Sequence, residues 1–385
     1  MKQVIKFLVG LSTVVVVALA VLYLTGNEHI LEGLRSTYLR GMARPDIDDF
    51  KYHDVRKVEM GEPQPWPVSS QFGKTLDEVD MAYMQRLNTT AFLVIYQDSI
   101  LFEYYGEDGG VNTLSNSFSM AKSFTSLCIG SAVDRGWFKI NEPIAKTLPR
   151  FSEGASAKLT LQQVLQMRSN IDFGESYANP FGYQARTYFG DDVWKETEPY
   201  RVTGYPGSIW KYEGGNTLLL AEMLEKKTKK SLSEWFSLYF WKRIGAENDA
   251  YWALDDAEGH EIAFSAFFAT ARDFARVGKL MLHQGKWNNT QVLSRTWYDA
   301  SIATFGIKDA NGDLVKHYGA HWWLAPRSVE PWHFSARGMR GQYIVVVPEE
   351  ELVIVRLGHD RAKENENEMS LDLKKWVEMG VKLAQ

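Results

Sequence analysis

Cysteine is almost absent from this chain of 385 residues, in which Cys128 is the only one. One cysteine cannot form an intramolecular disulfide, so cysteine usage does not report the redox compartment. Cys128 lies in an apolar stretch, which favours a buried structural side chain over a nucleophile. The eight histidines are scattered and show no H-E-x-x-H spacing. The sequence therefore predicts no metal site.

Several other signals are missing, and each absence excludes a class of protein. The net charge of −5 offers no basic field of the kind that nucleic-acid-binding proteins carry. The G-x-S-x-G elbow of α/β-hydrolases is absent, as are the G-x-G-x-x-G and Walker loops of nucleotide-binding proteins. The composition, with 45% apolar and 24% charged residues, is that of a globular protein. We therefore predict a globular body and no nucleic-acid partner.

A long uncharged stretch, residues 7–24, follows two lysines at the N-terminus. As a helix it would span about 27 Å, close to the thickness of a bilayer core. It is longer than the usual signal-peptide core of about 7–15 residues, although Ala-Leu-Ala at 18–20 is a candidate cleavage site. We interpret residues 1–25 as an uncleaved inner-membrane anchor with the body of the protein in the periplasm. The alternative is secretion after signal cleavage.

The rest of the chain divides into a lead-in and one large domain. Residues 26–75, with three closely spaced prolines, are interpreted as a linker and an irregular lead-in. From residue 76 onward, apolar runs predict strands at 91–96, 100–105, 319–324, 342–347 and 352–357, and helical periodicity predicts helices at 119–135, 161–167, 217–226, 232–241, 271–283 and 369–383. This order predicts an α+β fold, with a sheet built from about 76–150 and 300–385 and a helical insertion at about 151–299.

Ser119 and Lys122 form an S-x-x-K tetrad at the start of a predicted helix. A serine hydroxyl is a poor nucleophile unless a nearby base takes its proton. Positions i and i+3 share one helix face, so Lys122 can reach the Ser119 oxygen. The alternative interpretation is a serine that only caps the helix.

A second tetrad, Ser208 to Lys211, also matches S-x-x-K, so a match to this four-residue motif is weak evidence by itself. It follows Pro206-Gly207, which is a turn signal, and it contains a bulky tryptophan instead of a clear helix start. Ser119 follows a predicted strand hairpin and opens an amphipathic helix. The context therefore favours Ser119 as the nucleophile.

Five segments, taken in order, are similar to motifs of one superfamily. They are SFSMAKS at 117–123, LTLQQVLQMRS at 159–169, PGSIWKY at 206–212, TARDFAR at 270–276 and GMRGQY at 338–343. Over residues 75–385 the chain resembles the serine β-lactamase and penicillin-binding-protein superfamily, and most of all its class C β-lactamase-related branch, which includes esterases and 6-aminohexanoate-dimer hydrolase. The resemblance implies a β-lactamase/transpeptidase-like fold, in which helices flank an antiparallel sheet and a helical insertion domain is present.

The resemblance also implies a role for each motif residue. Ser119 falls on the nucleophile, Lys122 on the motif lysine, and Tyr212 on a tyrosine that shares the base role. Gly338 and Met339 fall on the third motif, where we predict that the backbone N–H groups of Ser119 and Met339 form an oxyanion hole. A Lys122 ammonium would lower the pKa of Tyr212, so we expect a coupled base pair.

The chain departs from the β-lactamases in two motifs. Class C enzymes carry Y-x-N, where this chain has Tyr212-Glu213-Gly214, with Asn216 two positions further on. The third motif lacks the lysine of K-T-G, a residue that helps to bind the carboxylate of penicillins. We predict substrate contacts at Gly338, Asn216, Trp322 and Tyr188. Trp323, Trp332 and Tyr318 are further candidates for substrate walls, with core packing as the alternative for each aromatic residue.

The predicted function is hydrolysis of a small-molecule amide or ester through an acyl-enzyme on Ser119, without a cofactor, as in 6-aminohexanoate-dimer hydrolase-type amidases and esterases. One alternative is β-lactamase or D-alanyl-D-alanine peptidase activity. Another is a non-catalytic, membrane-tethered binding protein on the same scaffold. The sequence makes no prediction of the oligomeric state.

Overall fold

The computed structural model describes residues 1–176, 178–363, 365–366 and 369–385. The helices are α1 (Lys2–Leu24), α2 (His29–Ser36), α3 (Glu78–Arg86), α4 (Met120–Asp134), α5 (Leu161–Leu165), α6 (Tyr183–Phe189), α7 (Val193–Thr197), α8 (Gly214–Thr228), α9 (Leu232–Phe236), α10 (Ala271–Leu282), α11 (Arg295–Ser301) and α12 (Leu371–Ala384). The strands are β1 (Val55–Val58), β2 (Thr89–Tyr96), β3 (Ser99–Tyr105), β4 (Ser115–Asn116), β5 (Ala250–Ala253), β6 (Phe267–Ala269), β7 (Lys286–Trp287), β8 (Thr290–Gln291), β9 (Trp323–Leu324), β10 (Phe334–Gly338), β11 (Gln342–Val347), β12 (Leu352–Gly358), β13 (Asn365–Glu366) and β14 (Met369–Ser370).

The central sheet has the strand order β3-β2-β12-β11-β10-β9, and every neighbouring pair is antiparallel. The N-terminal strands β2 and β3 lie on one side of β12, and the C-terminal strands β11, β10 and β9 lie on the other, so the sheet is assembled from both ends of the domain. The strands β2, β11 and β12 are almost entirely buried. Burial on both faces explains why they are continuous apolar runs, without the alternation of a half-exposed strand.

Helices cover both faces of this sheet, and a glycine lets each one approach closely. A Cβ on Gly278 of α10 would lie 2.4 Å from Val353, and a Cβ on Gly380 of α12 would lie 2.4 Å from Ile354. Successive side chains of a strand point to opposite faces. The helices α10 and α12 therefore pack on opposite sides of β12, which gives a three-layer core.

A smaller sheet, in the order β1-β5-β6-β4, lies beside the central one. Its strand β4 pairs with β6 and leads directly into α4. The helix α4 packs against α8, α9, β10 and β11. Its N-terminus therefore lies where the two sheets and the helical region meet.

The α+β prediction is confirmed, and the predicted strands at 91–96, 100–105, 342–347 and 352–357 match β2, β3, β11 and β12. The strand predicted at 319–324 is shorter, because only Trp323–Leu324 enters the sheet. The helix predicted at 232–241 is α9 followed by a π-helical turn, Ser237–Trp241.

Two parts of the domain organisation differ from the prediction. The helix α10 packs on the central sheet, although the sequence placed it in the helical insertion. The lead-in is not irregular throughout: α2 packs against α6, and β1 pairs with β5 over four residues. These contacts join segments far apart in the chain, so no local pattern indicates them.

The N-terminal helix α1 has no buried residue and a mean hydropathy of 2.6. Among the residues described, it is the one helix long and apolar enough to cross a membrane, a property that signal sequences share. The chain docks on the domain soon after α1 ends. Arg186 donates to the Gly26 carbonyl at 3.1 Å, and His29 Nε2 lies 2.7 Å from the Pro180 carbonyl oxygen.

Candidate active site

Ser119 is the residue that precedes α4, and it is partly exposed. Phe118, just before it, has a φ of 45°, a left-handed conformation that costs a non-glycine residue about 1 kcal/mol or more. The Phe118 N–H donates to Asn116 Oδ1 at 2.8 Å, which holds this turn in place. The strained turn brings Ser119 out of β4 and onto the first turn of the helix.

Lys122 lies within hydrogen-bonding distance of Ser119. Its Nζ donates to Ser119 Oγ at 3.0 Å and to the Phe264 carbonyl at 3.0 Å. The side chain is fully enclosed, and burial lowers the pKa of Lys122 to about 8, although the negative charge of Glu175 opposes this shift. About a tenth of the amine is therefore neutral at pH 7, far more than for an exposed lysine, and able to accept a proton.

Tyr212, two residues before α8, completes the group that the sequence predicted. Its ring centroid lies 5.0 Å from Lys122 Nζ. Burial raises the pKa of Tyr212, and its hydrogen bond with Ser119 opposes that shift only in part. The expectation that Lys122 would lower the pKa of Tyr212 is wrong, because both groups lose hydration and both neutral forms are favoured. Above about pH 8 the pair therefore holds a neutral amine and a phenol.

The end of β10 closes the site on the other side of Ser119. A Cβ on Gly338 would lie 2.2 Å from the Ser117 carbonyl oxygen, so only glycine allows this approach. Gln342 Nε2 donates to the Met339 carbonyl at 3.0 Å and fixes the turn that follows. In the part of the chain that the structure describes, neither the Ser119 N–H nor the Met339 N–H donates a hydrogen bond. Both are available to an oxyanion.

The structure does not bring all the predicted substrate contacts to the surface of the site. Trp322 is 0% exposed and packs on Phe334 in the core, so the prediction that it contacts the substrate is wrong. Tyr188 is 8% exposed, and its ring packs beside Phe264. It therefore forms a second layer, behind the residue whose carbonyl holds Lys122.

Asn216 is also fully buried, in the first turn of α8. Its Nδ2 donates to the Glu213 carbonyl at 3.2 Å, and its Oδ1 has no hydrogen-bond partner within the residues described. A direct substrate contact is excluded in this conformation. The side chain instead closes the first turn of the helix that follows Tyr212.

An aromatic cluster beside Tyr212 forms the accessible wall of the site. Trp323, which is partly exposed, has its ring centroid 5.3 Å from that of Tyr212, and Tyr318 lies 6.0 Å away. Trp210 and His317 pack on the same group. Trp323 and Tyr318 were candidates in the sequence, whereas no sequence signal indicated His317.

The second S-x-x-K tetrad does not form a site. Ser208 is exposed and its hydroxyl donates to the Tyr205 carbonyl at 2.7 Å, while Lys211 lies 2.5 Å from Glu213. The serine and the lysine thus have different partners. His321 is buried, and its ring bonds to the Leu165 carbonyl and Thr217.

Comparisons with known proteins identify the family of the chain. The beta-lactamase family model matches residues 76–373. A 6-aminohexanoate-dimer hydrolase from Paenarthrobacter ureafaciens is 29% identical over 295 residues, which cover 71% of this chain and 74% of that protein.

Solved structures show the same fold. A Bacillus anthracis protein with a provisional 6-aminohexanoate-dimer hydrolase name has a TM-score of 0.73 and 22% identity, over 88% of this chain and 92% of its own. A family VIII carboxylesterase has a TM-score of 0.62 and 16% identity, over 83% of this chain and 99% of its own. Since the family model covers most of the chain, this protein is a serine hydrolase that belongs to the beta-lactamase family.

Proposed function

We propose that the protein cleaves an amide or ester bond by two-step acyl transfer on Ser119. The observation that carries this proposal is the 3.0 Å contact between Lys122 Nζ and Ser119 Oγ, in a setting where the amine is readily neutral. An adjacent base of this kind activates a serine hydroxyl.

In the first step, Ser119 Oγ bonds to the substrate carbonyl carbon, and its proton passes to Lys122. The backbone N–H groups of Ser119 and Met339 stabilise the tetrahedral oxyanion. Tyr212 then passes a proton to the leaving nitrogen or oxygen and regains one from Lys122, as the carbon–leaving-group bond breaks. In the second step, water gives up a proton to the same pair and attacks the acyl carbon, which releases the acid and restores Ser119.

The substrate class that we propose is a linear amide or ester, as for the 6-aminohexanoate-dimer hydrolase relative. Two features support it. The third motif has no lysine in the K-T-G position, where penicillin recognition needs a cation. The open wall beside Tyr212 is aromatic, which suits the apolar part of an acyl chain. β-Lactam or D-peptide hydrolysis is the second candidate, because it occurs on the same scaffold.

A substrate panel tests this proposal. We expect the full-length protein to hydrolyse p-nitrophenyl esters or aminohexanoate oligomers at least about 100-fold faster than nitrocefin, a discrimination of about 3 kcal/mol. The matched control is the same panel with the Ser119→Ala variant, which should be inactive on every substrate. Rapid nitrocefin turnover would instead establish β-lactamase activity and remove the argument from the missing lysine.

We also propose that α1 anchors the protein in the inner membrane, with the hydrolase domain in the periplasm. Its length and hydropathy support spanning. Because the contacts of Gly26 and His29 begin so soon after α1, the domain would lie against the membrane. After cell fractionation, we expect the mature chain in the membrane fraction with an N-terminus that starts at Met1. Recovery of a shortened, freely soluble periplasmic chain would support signal cleavage instead.

A further inference from the structure

Beside Tyr212, the side chains of two glutamates link two segments of the chain, residues 174–175 and 213–214, by hydrogen bonds. The Gly214 N–H donates to Glu175 Oε2 at 2.7 Å, and the Gly174 N–H donates to Glu213 Oε1 at 3.3 Å. Each segment thus supplies one donor and one acceptor. The two bonds hold the residues that directly follow Tyr212, at the point where α8 begins.

Close packing supports the same junction. A Cβ on Gly215 would lie 2.7 Å from Phe173 and 3.0 Å from Ile171, and a Cβ on Gly214 would lie 3.1 Å from Phe264. The distance at Gly215 leaves no room for a side chain, and at Gly214 a Cβ would fit only if the Phe264 ring moved by a few tenths of an ångström. The junction gives a physical reason for the sequence Tyr-Glu-Gly-Gly at 212–215: the glutamate makes the crossing bond, and the glycines allow the segments to meet.

We propose that Glu175 and Glu213 are positioning residues for the Tyr212 hydroxyl, and that Glu175 also places a negative charge beside the Lys122–Tyr212 pair. The proposal rests on the hydrolase mechanism given above. The two carboxylates differ in their surroundings. Glu213 is 1% exposed and lies 2.5 Å from Lys211 Nζ, which neutralises it, whereas Glu175 is partly exposed at the site.

Among the residues that the structure describes, few charged and titratable groups lie around the base pair. Lys122 faces Ser119 on its own helix, Tyr212 before α8, Glu175 in the facing loop and His321 before β9. Burial lowers the pKa of His321 to about 3, so this ring is neutral at neutral and alkaline pH. Glu175 is thus the carboxylate that acts on the pair, and its attraction raises the pKa of Lys122 against the larger effect of burial.

Tyr318 is a further titratable neighbour of Tyr212 in the described part of the chain, on the side of the aromatic cluster. Burial raises the pKa of Tyr318 well above its usual value, so it remains a neutral phenol. It contributes no charge that changes with pH in the working range. A change in the charge of Glu175 should therefore appear directly in the ionisation of Lys122.

Two variants of Glu175 and two control variants, all in the full-length protein, test this proposal, with p-nitrophenyl butyrate as the substrate and kcat and KM measured across the neutral and alkaline range. Glu175→Gln keeps an oxygen acceptor for Gly214 but removes the charge. We expect the acid limb of its kcat/KM profile to move to lower pH by about half a unit or more. Glu175→Ala also removes the acceptor, and we expect kcat on the alkaline plateau to fall about 10- to 100-fold, with a smaller change in KM.

Glu213→Gln is the matched control for charge. It keeps an acceptor for the Gly174 N–H, so the acid limb should stay where it is in the wild-type protein. Glu258→Gln, at an exposed position, controls for net charge and should leave the profile unchanged.

Each outcome bears on one part of the proposal. A Glu175→Gln profile that superimposes on that of the wild type would overturn the electrostatic role, and a Glu175→Ala variant with wild-type kcat would overturn the positioning role. If Glu175→Ala fails to fold, Glu175→Asp replaces it, because the shorter side chain keeps the charge but withdraws the acceptor from the Gly214 N–H, and a wild-type plateau kcat in that variant would overturn the positioning role. A failure of the proposed function looks different, because the wild-type activity would then survive Ser119→Ala.

Discussion

Replacing Ser119 by alanine is expected to lower kcat/KM by at least about 10³-fold, since removal of a serine nucleophile eliminates the covalent route. The variant should also lose labelling by a fluorophosphonate probe, which reacts with activated serines. Stability should fall by only about 1 kcal/mol, because the buried Lys122 amine loses the hydrogen bond that it donates to Ser119 Oγ, while the serine side chain makes no cap bond to α4. Activity and labelling are measured by ester hydrolysis and in-gel fluorescence.

The chain provides its own matched control for this experiment. Ser208 begins the second S-x-x-K tetrad but lies on the surface with a different partner. Ser208→Ala should therefore keep wild-type labelling and wild-type kcat/KM. Equal labelling of the wild-type and Ser119→Ala proteins would refute the nucleophile and favour the non-catalytic binding protein.

Replacing Lys122 by methionine should produce a protein that is almost inactive yet more stable. We expect kcat/KM to fall about 10³-fold or more, since the proton acceptor for Ser119 is lost. In the wild-type protein, kcat/KM should rise about tenfold for each pH unit below about 8, the pKa to which burial lowers Lys122, and then level off. The methionine variant should lose this limb.

The expected gain in stability follows from the same shift. The unfolded lysine titrates near about 10.4, whereas the folded pKa is about 8. The folded state thus binds fewer protons between these values, so stability rises with pH across that window, and below it the buried ammonium costs about 3 kcal/mol. Methionine removes this cost but loses two hydrogen bonds of about 1 kcal/mol each, which leaves a net gain of about 1 kcal/mol near neutral pH.

Chemical unfolding at neutral pH and near pH 10 measures this difference. The gain should disappear at the higher pH, because the folded amine is already neutral there and the unfolded lysine has begun to lose its proton, so most of the cost of burial is gone. Lys139→Met, at an exposed position that follows the same helix, is the control and should leave both activity and stability unchanged. A Lys122→Met variant that is less stable than the wild type at neutral pH would contradict the proposed burial of a costly amine.

The predictions from sequence succeeded where a local pattern reports a local structure. The apolar runs that became β2, β11 and β12 and the helix that became α4 follow from side-chain periodicity alone. Trp322 and Trp323 show the limit. They are neighbours in an extended segment, so one faces the core and the other faces the site, and composition does not indicate which.

For the candidate site, the sequence by itself determined that Ser119 and Lys122 share a helix face, because three residues make nearly one turn. It also indicated Tyr212 and Gly338, through motifs that resemble those of a known superfamily. Only the tertiary structure decided the protonation states. Burial from distant segments shifts the pKa values of Lys122 and Tyr212 in opposite directions, and the Glu175 carboxylate comes from a loop that no motif marks. The desolvation of a side chain and its distance from other charges depend on which segments of the chain pack together. The sequence alone does not give that packing.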